Sequence, residues 1–393
     1  MLFTYPQLDD DEKRVEAATA RIRADLRHYV VTAPRRWTGL LARMTRARAL
    51  MASNSVEGIN VSDEDAIVAI DGEDPASTDR ETWRAVVGYR EATDYILQRR
   101  QSPSFIITED VLLAVHFMIC QSDLTSHPGQ YRPGWVGVGN TRTGEVVHEG
   151  VDCDQLEPLI HELLDYVNHA EVDSVFLRAA MTHLNLVLLH PFTDGNGRVA
   201  RCIQTAVLAS DGIVAPPFSS IEEYIGHNQQ DYYNVLAEVG GGAWNPRRNA
   251  KPWVRFCLGG HYRQAQTLLR RTRELERVYA ELVNLVEARG FPDRTAMALL
   301  QAAFGSKVRN SSYRVSADVS NNLASRDLKT LVDADLLVSE GEKRGRFYKA
   351  SPTVAEIRQR LRLPRPIDDP FDPDGQLQIS AGQADLFEGP GLG

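Results

Sequence analysis

His190-Pro191-Phe192-Thr193-Asp194-Gly195-Asn196-Gly197-Arg198-Val199-Ala200-Arg201 is the stretch whose reading decides the fold. An apolar run, Val175 to Leu189, leads straight into it and predicts a buried helix over 174–189. Pro191 disfavours helical geometry at His190 and so ends that helix. A second helix is expected over 197–210, with Val199, Ile203, Ala206 and Val207 on one stripe. Between the two lies a short polar loop with two glycines.

The loop has the parts of a phosphate site. Gly195 and Gly197 let backbone approach a ligand without a Cβ in the way. The free N–H groups that start the second helix form an anion site. Arg198 and Arg201 are three apart and share a helical face. Two guanidinium groups there suit a polyphosphate. Asp194 is an oxygen ligand of the kind Mg²⁺ takes when it also bridges phosphates. His190 can accept a proton near neutral pH. Each feature alone is commonplace, since Asp-Gly-Asn-Gly is an ordinary turn. Together, in this order, they describe phosphoryl or nucleotidyl transfer.

This string resembles the Fic motif, HPFx(D/E)GNGRxxR, at every specified position. The resemblance implies a mainly α fold, a Fic helical domain with a β-hairpin flap. It implies transfer of AMP from ATP to a Ser, Thr or Tyr hydroxyl of a protein target. It assigns His190 as the base and Asp194 as the Mg²⁺ ligand. Asn196 and the amides around Gly195 and Gly197 would cradle the phosphates, with Arg198 and Arg201 on the departing pyrophosphate. Gly129-Gln130-Tyr131-Arg132 and Val136-Gly137-Val138-Gly139 resemble the flap that pairs with target backbone. Tyr232 and Tyr233 resemble the tyrosine pair near the adenine. The likeness covers about residues 50–260. It departs where an asparagine often follows that pair: Gly240 and Gly241 stand there. Family members that act as kinases carry a lysine where Gly197 stands, so Gly197 favours AMP transfer.

Ser53-Asn54-Ser55-Val56-Glu57-Gly58 resembles a second family pattern, (S/T)xxxE(G/N), that of an N-terminal inhibitory helix, here about 38–58. Glu57 falls in the last turn before Gly58, where a helix C-terminus disfavours negative charge by about 0.3–1 kcal/mol. A cationic partner elsewhere would offset this, and Arg201 is the candidate. Ser53, Glu57 and Gly58 are therefore the expected inhibitory residues, with Glu57 also touching the nucleotide site. The same residues would serve the reverse reaction, removal of AMP, with Glu57 positioning a water.

Around this centre the chain reads as five parts: an N-terminal helical region (1–105), the catalytic core (106–260), a linker helix (261–290), a winged helix-turn-helix unit (291–352) and a disordered tail (364–393). Helices are expected over Glu12–Tyr29, Thr38–Glu57, Glu81–Gln98, from Thr108, over 154–168 and over Trp253–Glu287. Residues 135–148 predict a hairpin with no sheet to join. Gly240-Gly241-Gly242 reads as a loop. Asp293–Phe304 and Ser320–Leu336 are the expected helices of the C-terminal unit, ahead of a basic wing with Lys343, Arg344 and Arg346. Residues 291–350 hold ten basic and seven acidic residues, a net +3. That keeps a DNA-binding regulator among the readings. Asp327, Asp333 and Asp335 on the second helix would repel phosphates, so protein recognition or dimerisation is favoured there.

The whole chain, 393 residues with 43% hydrophobic and 25% charged, is long enough for two or three units. Its net charge of −9 argues against non-specific nucleic-acid binding by the chain as a whole. Four scattered cysteines (Cys120, Cys153, Cys202, Cys257) read as free thiols in a reducing cytoplasm. No membrane span and no signal peptide are expected. The expected partners are a protein target, the chain itself through self-modification, and a second copy.

Overall fold

The computed structural model describes residues 1–32, 36–75, 77–102, 104–139, 146–169, 172, 174–212, 218–342, 346–365 and 369–372. The protein is mainly helical. Helix α1 (Asp10–Arg27) starts in a capping box, Asp9 with Glu12, and runs into a π-turn at His28–Thr32. Helix α2 (Thr38–Val56) stops at Glu57 because Gly58 takes a left-handed φ of 76°. Short helix α3 (Asp63–Asp71), inside the region expected to be helical but not delimited there, is bounded by a Ser62 cap and a left-handed Gly72. Helices α4 (Arg80–Arg99) and α5 (Glu109–Cys120) follow, the latter capped by Thr108.

Helix α6 (Cys153–His169), helix α7 (Val175–Leu189) and helix α8 (Asn196–Leu208) lie close to their expected spans. Then come α9 (Glu222–His227), α10 (Gln229–Gly240) and the long α11 (Lys251–Ala288). Helix α11 runs unbroken through 260/261, where the sequence reading divides core from linker.

The hairpin is present as β1 (Gly137–Gly139) and β2 (Val146–Glu149), antiparallel, with a register shift between Val138 and Gly139. Its turn, from Asn140 to Glu145, falls outside the described residues. The expectation that it joins no sheet is corrected. Strand β3 (Gly242–Ala243) pairs in parallel with β2, His148 opposite Gly242. Gly240 closes α10, Gly241 caps it with φ 55°, and β3 begins at Gly242, which also has a positive φ of 89°. What reads as a triple-glycine loop is a helix stop feeding a strand. Among the described residues the outer edge of β1 has no strand partner.

The C-terminal region has α12 (Ala296–Ala303), α13 (Asn310–Ala317), α14 (Asn321–Asp333), strands β4 (Leu337–Glu340) and β5 (Phe347–Ala350) and α15 (Pro352–Leu361). The expected helix from Asp293 begins as a 3-10 turn, Asp293–Thr295. The expected helix to Leu336 ends at Asp333, because Asp335 is left-handed (φ 55°) and Leu336 N donates back to Leu331 O at 2.9 Å. Arg346 precedes β5, while Lys343 and Arg344 lie outside the described residues, as does the tail from 373. Asp327 does not face solvent. It is buried and accepts from Arg294 (2.7 and 3.0 Å) and from Tyr313 Oη (2.9 Å). Among the described residues no helix is long and apolar enough to cross a membrane.

Two hydrophobic cores result. The first gathers α4 to α8, α10 and the start of α11, with Leu184, Phe192, Ile203 and Trp253 at its centre. The second gathers α12, α14 and the far half of α11 with Trp37, Leu40, Leu41 and Met44. Helix α2 begins in the second core and, through Leu50 and Val56, ends in the first.

Helices α4 and α5 approach closely at Gly88, where an added Cβ would overlap the Met118 carbonyl oxygen. That neighbour is backbone and cannot turn aside. Gly88→Val should therefore cost about 1–3 kcal/mol through overpacking, read as a lowered Tm. An unchanged Tm would contradict this packing.

Candidate functional site

His190 caps α7 with a left-handed φ of 53°, its N–H donating to Leu186 O at 3.2 Å. The turn aims the ring away from the helix it ends. Nδ1 lies 3.1 Å from Val187 O. A carbonyl only accepts, so Nδ1 carries the proton and Nε2 presents a lone pair. Burial lowers the pKa of His190 to about 4, against a smaller opposing pull from the Val187 carbonyl. The ring is thus neutral at physiological pH, in the tautomer a base needs.

The loop beyond is held from three sides. Asn196 clasps Phe192, its Oδ1 accepting from Phe192 N and its Nδ2 donating to Phe192 O, both at 2.9 Å. Its side chain is thereby committed, and its share in an anion cradle falls to its main chain. The Phe192 ring stacks on His116 of α5, centroids 3.8 Å apart and planes 11° off parallel. His116 Nδ1 accepts from Gly129 N (3.0 Å), so Nε2–H donates to Asp194 O (3.2 Å). Burial lowers its pKa to about 4 as well, which keeps this relay neutral. Arg132, buried at the base of the flap, donates through Nε to His190 O at 2.8 Å and through its N–H to Pro191 O at 3.0 Å. His148 on β2 reaches Leu188 O at 2.8 Å. Hydrogen bonds from Arg132 and His148 thus tie the described part of the flap to the loop and the end of α7. His116, His148 and the role of Arg132 were not foreseen. The sequence shows only histidines on elements destined for burial, and burial of a polar ring does not reveal its partner.

Gly195, φ 79°, is the cap of α8 and brings no side-chain bond to its free N–H groups. A Cβ there would sit 2.6 Å from Cys120 Sγ, so the close packing of α5 on the loop excludes one. Arg198, nearly buried, holds Asp194 Oδ2 at 2.9 Å, while the Asp194 side chain is 59% exposed. Arg201 is fully buried. Its Nε donates to Ser53 Oγ (2.8 Å) and its Nη2 to Ser53 O (2.9 Å) and to Glu57 Oε1 (2.7 Å). Two guanidinium nitrogens, Arg198 Nε and Arg201 Nη1, are buried without a hydrogen-bond partner. Paired arginines with donors to spare, at a bare helix N-terminus, are what a polyphosphate would satisfy.

The Glu57 carboxylate lies on this helix start. An added Cβ on Gly197 would clash with Glu57 Oε1, and would be 3.1 Å from Arg201 Nη1. Gly197 thus leaves room for an anion, and Glu57 supplies one. The end of α2 is clasped further: Tyr233 Oη donates to Val56 O at 2.7 Å and Gln229 Nε2 to Ser55 Oγ at 3.0 Å. A Cβ on Gly226 would meet Ala52 Cβ at 2.6 Å, so α9 lies flush on α2. The two tyrosines part company here. Tyr233 is 44% exposed, whereas Tyr232 is buried with its Oη 3.0 Å from His183 Nε2. On the flap, Val136, Gly137 and Val138 are part-buried and Trp135 is 65% exposed. Among the described residues no group of three or more His, Cys, Asp or Glu is placed to hold a metal.

Residues 106–208, the span that contains this loop and the flap, match the Fic/DOC family. The chain carries a Fic domain. It is 29% identical over 173 residues to the protein adenylyltransferase Fic of Nematostella vectensis, covering 44% of this chain and 36% of that protein. The protein adenylyltransferase Fic of Aedes aegypti is 27% identical over 195 residues, 48% of this chain and 35% of that protein. The chain thus spans about a third of the length of these curated relatives. The crystal structure of a Fic family protein from Desulfovibrio desulfuricans G20 shares the fold, with a TM-score of 0.58 and 22% identity over 88% of this chain and 97% of that one.

An ordinary imidazole of pKa 6.5 is about three-quarters protonated at pH 6. His190 in the Fic domain, lowered to about 4, should stay neutral there and take up its proton only as pH falls towards 4. NMR of labelled histidine, assigned with His190→Gln, should show its resonance unmoved from pH 8 to 5.5. A midpoint near 6.5 would contradict the buried setting.

Proposed function

We propose that this chain is a protein adenylyltransferase, moving AMP from ATP onto a hydroxyl of a protein target, and that Glu57 inhibits it. The reading is carried by one observation: two buried arginines with unfilled donors converge on the start of α8, beside a neutral His190 with its Nε2 lone pair free. The Fic domain and the names of its relatives support the same conclusion.

In this reading the α8 amides and Arg198 bind the phosphates of ATP, and Arg201 clamps their far end. His190 Nε2 takes the proton of the target hydroxyl as its oxygen attacks the α-phosphorus. The bond from that phosphorus to the bridging oxygen breaks, and pyrophosphate departs onto the two guanidinium groups. The exposed Asp194 carboxylate fits a Mg²⁺ that arrives on the nucleotide, and that ion would neutralise phosphate charge. Tyr233, half exposed beside Val56, is the member of the tyrosine pair open to a base. The free edge of β1 suits an extended target segment. Residues 106–260 are read as the catalytic core, and α12 to α14 with β4 and β5 as a winged helix-turn-helix unit.

Glu57 competes for the same donors. With its carboxylate on Arg201 and over Gly197, the far phosphate loses its clamp. Glu57→Gly should raise AMP transfer, self-modification included, at least tenfold, about 1.4 kcal/mol of barrier. An unchanged rate would remove the inhibitory role. With labelled ATP, Mg²⁺ and a cell lysate, label should follow the α-phosphate and not the γ-phosphate. His190→Ala should abolish that labelling and spare ATP binding. Label from the γ-phosphate, or transfer surviving in His190→Ala, would overturn the assignment.

A further inference from the structure

Residues 369–372 lie far along the chain from the catalytic loop, yet they pack against the first core. Helix α15 ends at Leu361 in the second core, and Leu363 O accepts from Arg270 Nη1 at 3.3 Å. Asp369 Oδ2 lies 3.8 Å from Arg263 Nη2. The Phe371 ring sits under the Arg255 guanidinium, 5.0 Å from its centroid, and a Cβ on Gly259 would already touch it at 3.8 Å. These contacts step along α11 from 270 to 255, about 22 Å of helix. Helix α15 thus ends in the second core while residues 369–372 pack against the first.

The groove that receives it lies between α10 and α11. A cavity of about 410 Å³ remains beside Phe371, lined by Tyr224, Asp231, Val235, Phe256 and Arg263 among others. Its chemistry is selective. An aromatic floor and a bare Gly259 accept a ring, Arg255 covers the ring's face, and Arg263 faces an acid. Arg255 is itself fixed by Asp9 (3.1 Å) and Glu12 (3.4 Å). Helix α10 presents Asp231 and Val235 to this groove, and its neighbouring Tyr233 holds Val56 O.

We propose that the α10–α11 groove is a docking site for a short Pro-Phe segment flanked by aspartates, filled in cis by Asp369–Asp372, and that the docked segment braces the helix that clasps the end of α2. The link from the groove to inhibition rests on the reading of Glu57 given above; the docking does not.

The test uses the full chain with Phe371→Ala, which vacates the groove, and a fluorescent peptide of residues 365–375. The peptide should bind this chain with a Kd below about 100 μM, and at least tenfold more weakly to the wild type, whose groove is filled. The same peptide with Phe371→Ala should bind neither. Asp369→Lys, which sets like charge against Arg263, gives a second vacated chain should the first lose its fold. No binding to either vacated chain at millimolar peptide, or equal binding to vacated and wild-type chains, overturns the docking site. Transfer should rise at least threefold in Phe371→Ala and fall again on adding peptide. Docking without a change in rate overturns the brace. Absence of transfer from every chain, Glu57→Gly included, counts against the proposed function, and the binding measurement still decides the groove.

Discussion

A fully buried guanidinium sets the terms for the rest of the molecule. Arg201 has no access to water, so its charge must be met by protein or by ligand. Ser53 and Glu57 meet it from α2, beside the contacts of Leu50, Ala52, Ser55 and Val56 that also hold this helix in place. Leaving such a charge unmatched costs about 3–5 kcal/mol in a dry interior. Here the figure is lower, because the Glu57 side chain is 28% exposed. A polyphosphate can repay the same debt. Under the proposed function, the phosphates of a nucleotide would call on the same donors that Glu57 now holds, and the two anions would exclude each other.

The rigidity of the loop follows from small neutral groups. His116 and His190 are both held uncharged by burial; His116 spends both ring nitrogens on backbone and His190 spends one. A protonated His116 would lose the acceptor that fixes Gly129 at the root of the flap. Arg132 joins flap to loop by backbone carbonyls alone, His190 O among them. The placement of His190 thus depends on side chains outside the loop.

Much of this was legible in the sequence, and what was missed has a physical pattern. Helix spans, the loop and the hairpin were readable because periodicity, Pro191 and the glycines act locally. The pairing of Glu57 with Arg201 was also readable, since a carboxylate at a helix C-terminus calls for a cation. Apart from helix ends, the failures were of partnership. Gly240 to Gly242 read as a loop because β3 exists only where β2 offers hydrogen bonds. Asp327 read as a surface charge because its partners, Arg294 and Tyr313, lie 33 and 14 residues away. Tyr232 and Tyr233 are neighbours in sequence, yet helix geometry turns one into the core beside His183 and leaves the other at the surface.

Helices α2 and α11 each contribute to both cores, Leu41 and Val56 on one, Trp253 and Val278 on the other. Neither core can melt while these helices stay whole, and neither helix survives the loss of one core intact. The change in composition near residue 291 is therefore not expected to be a boundary in folding. The chain is expected to unfold as one cooperative unit, and a cut between 251 and 288 would ruin two structures rather than separate them.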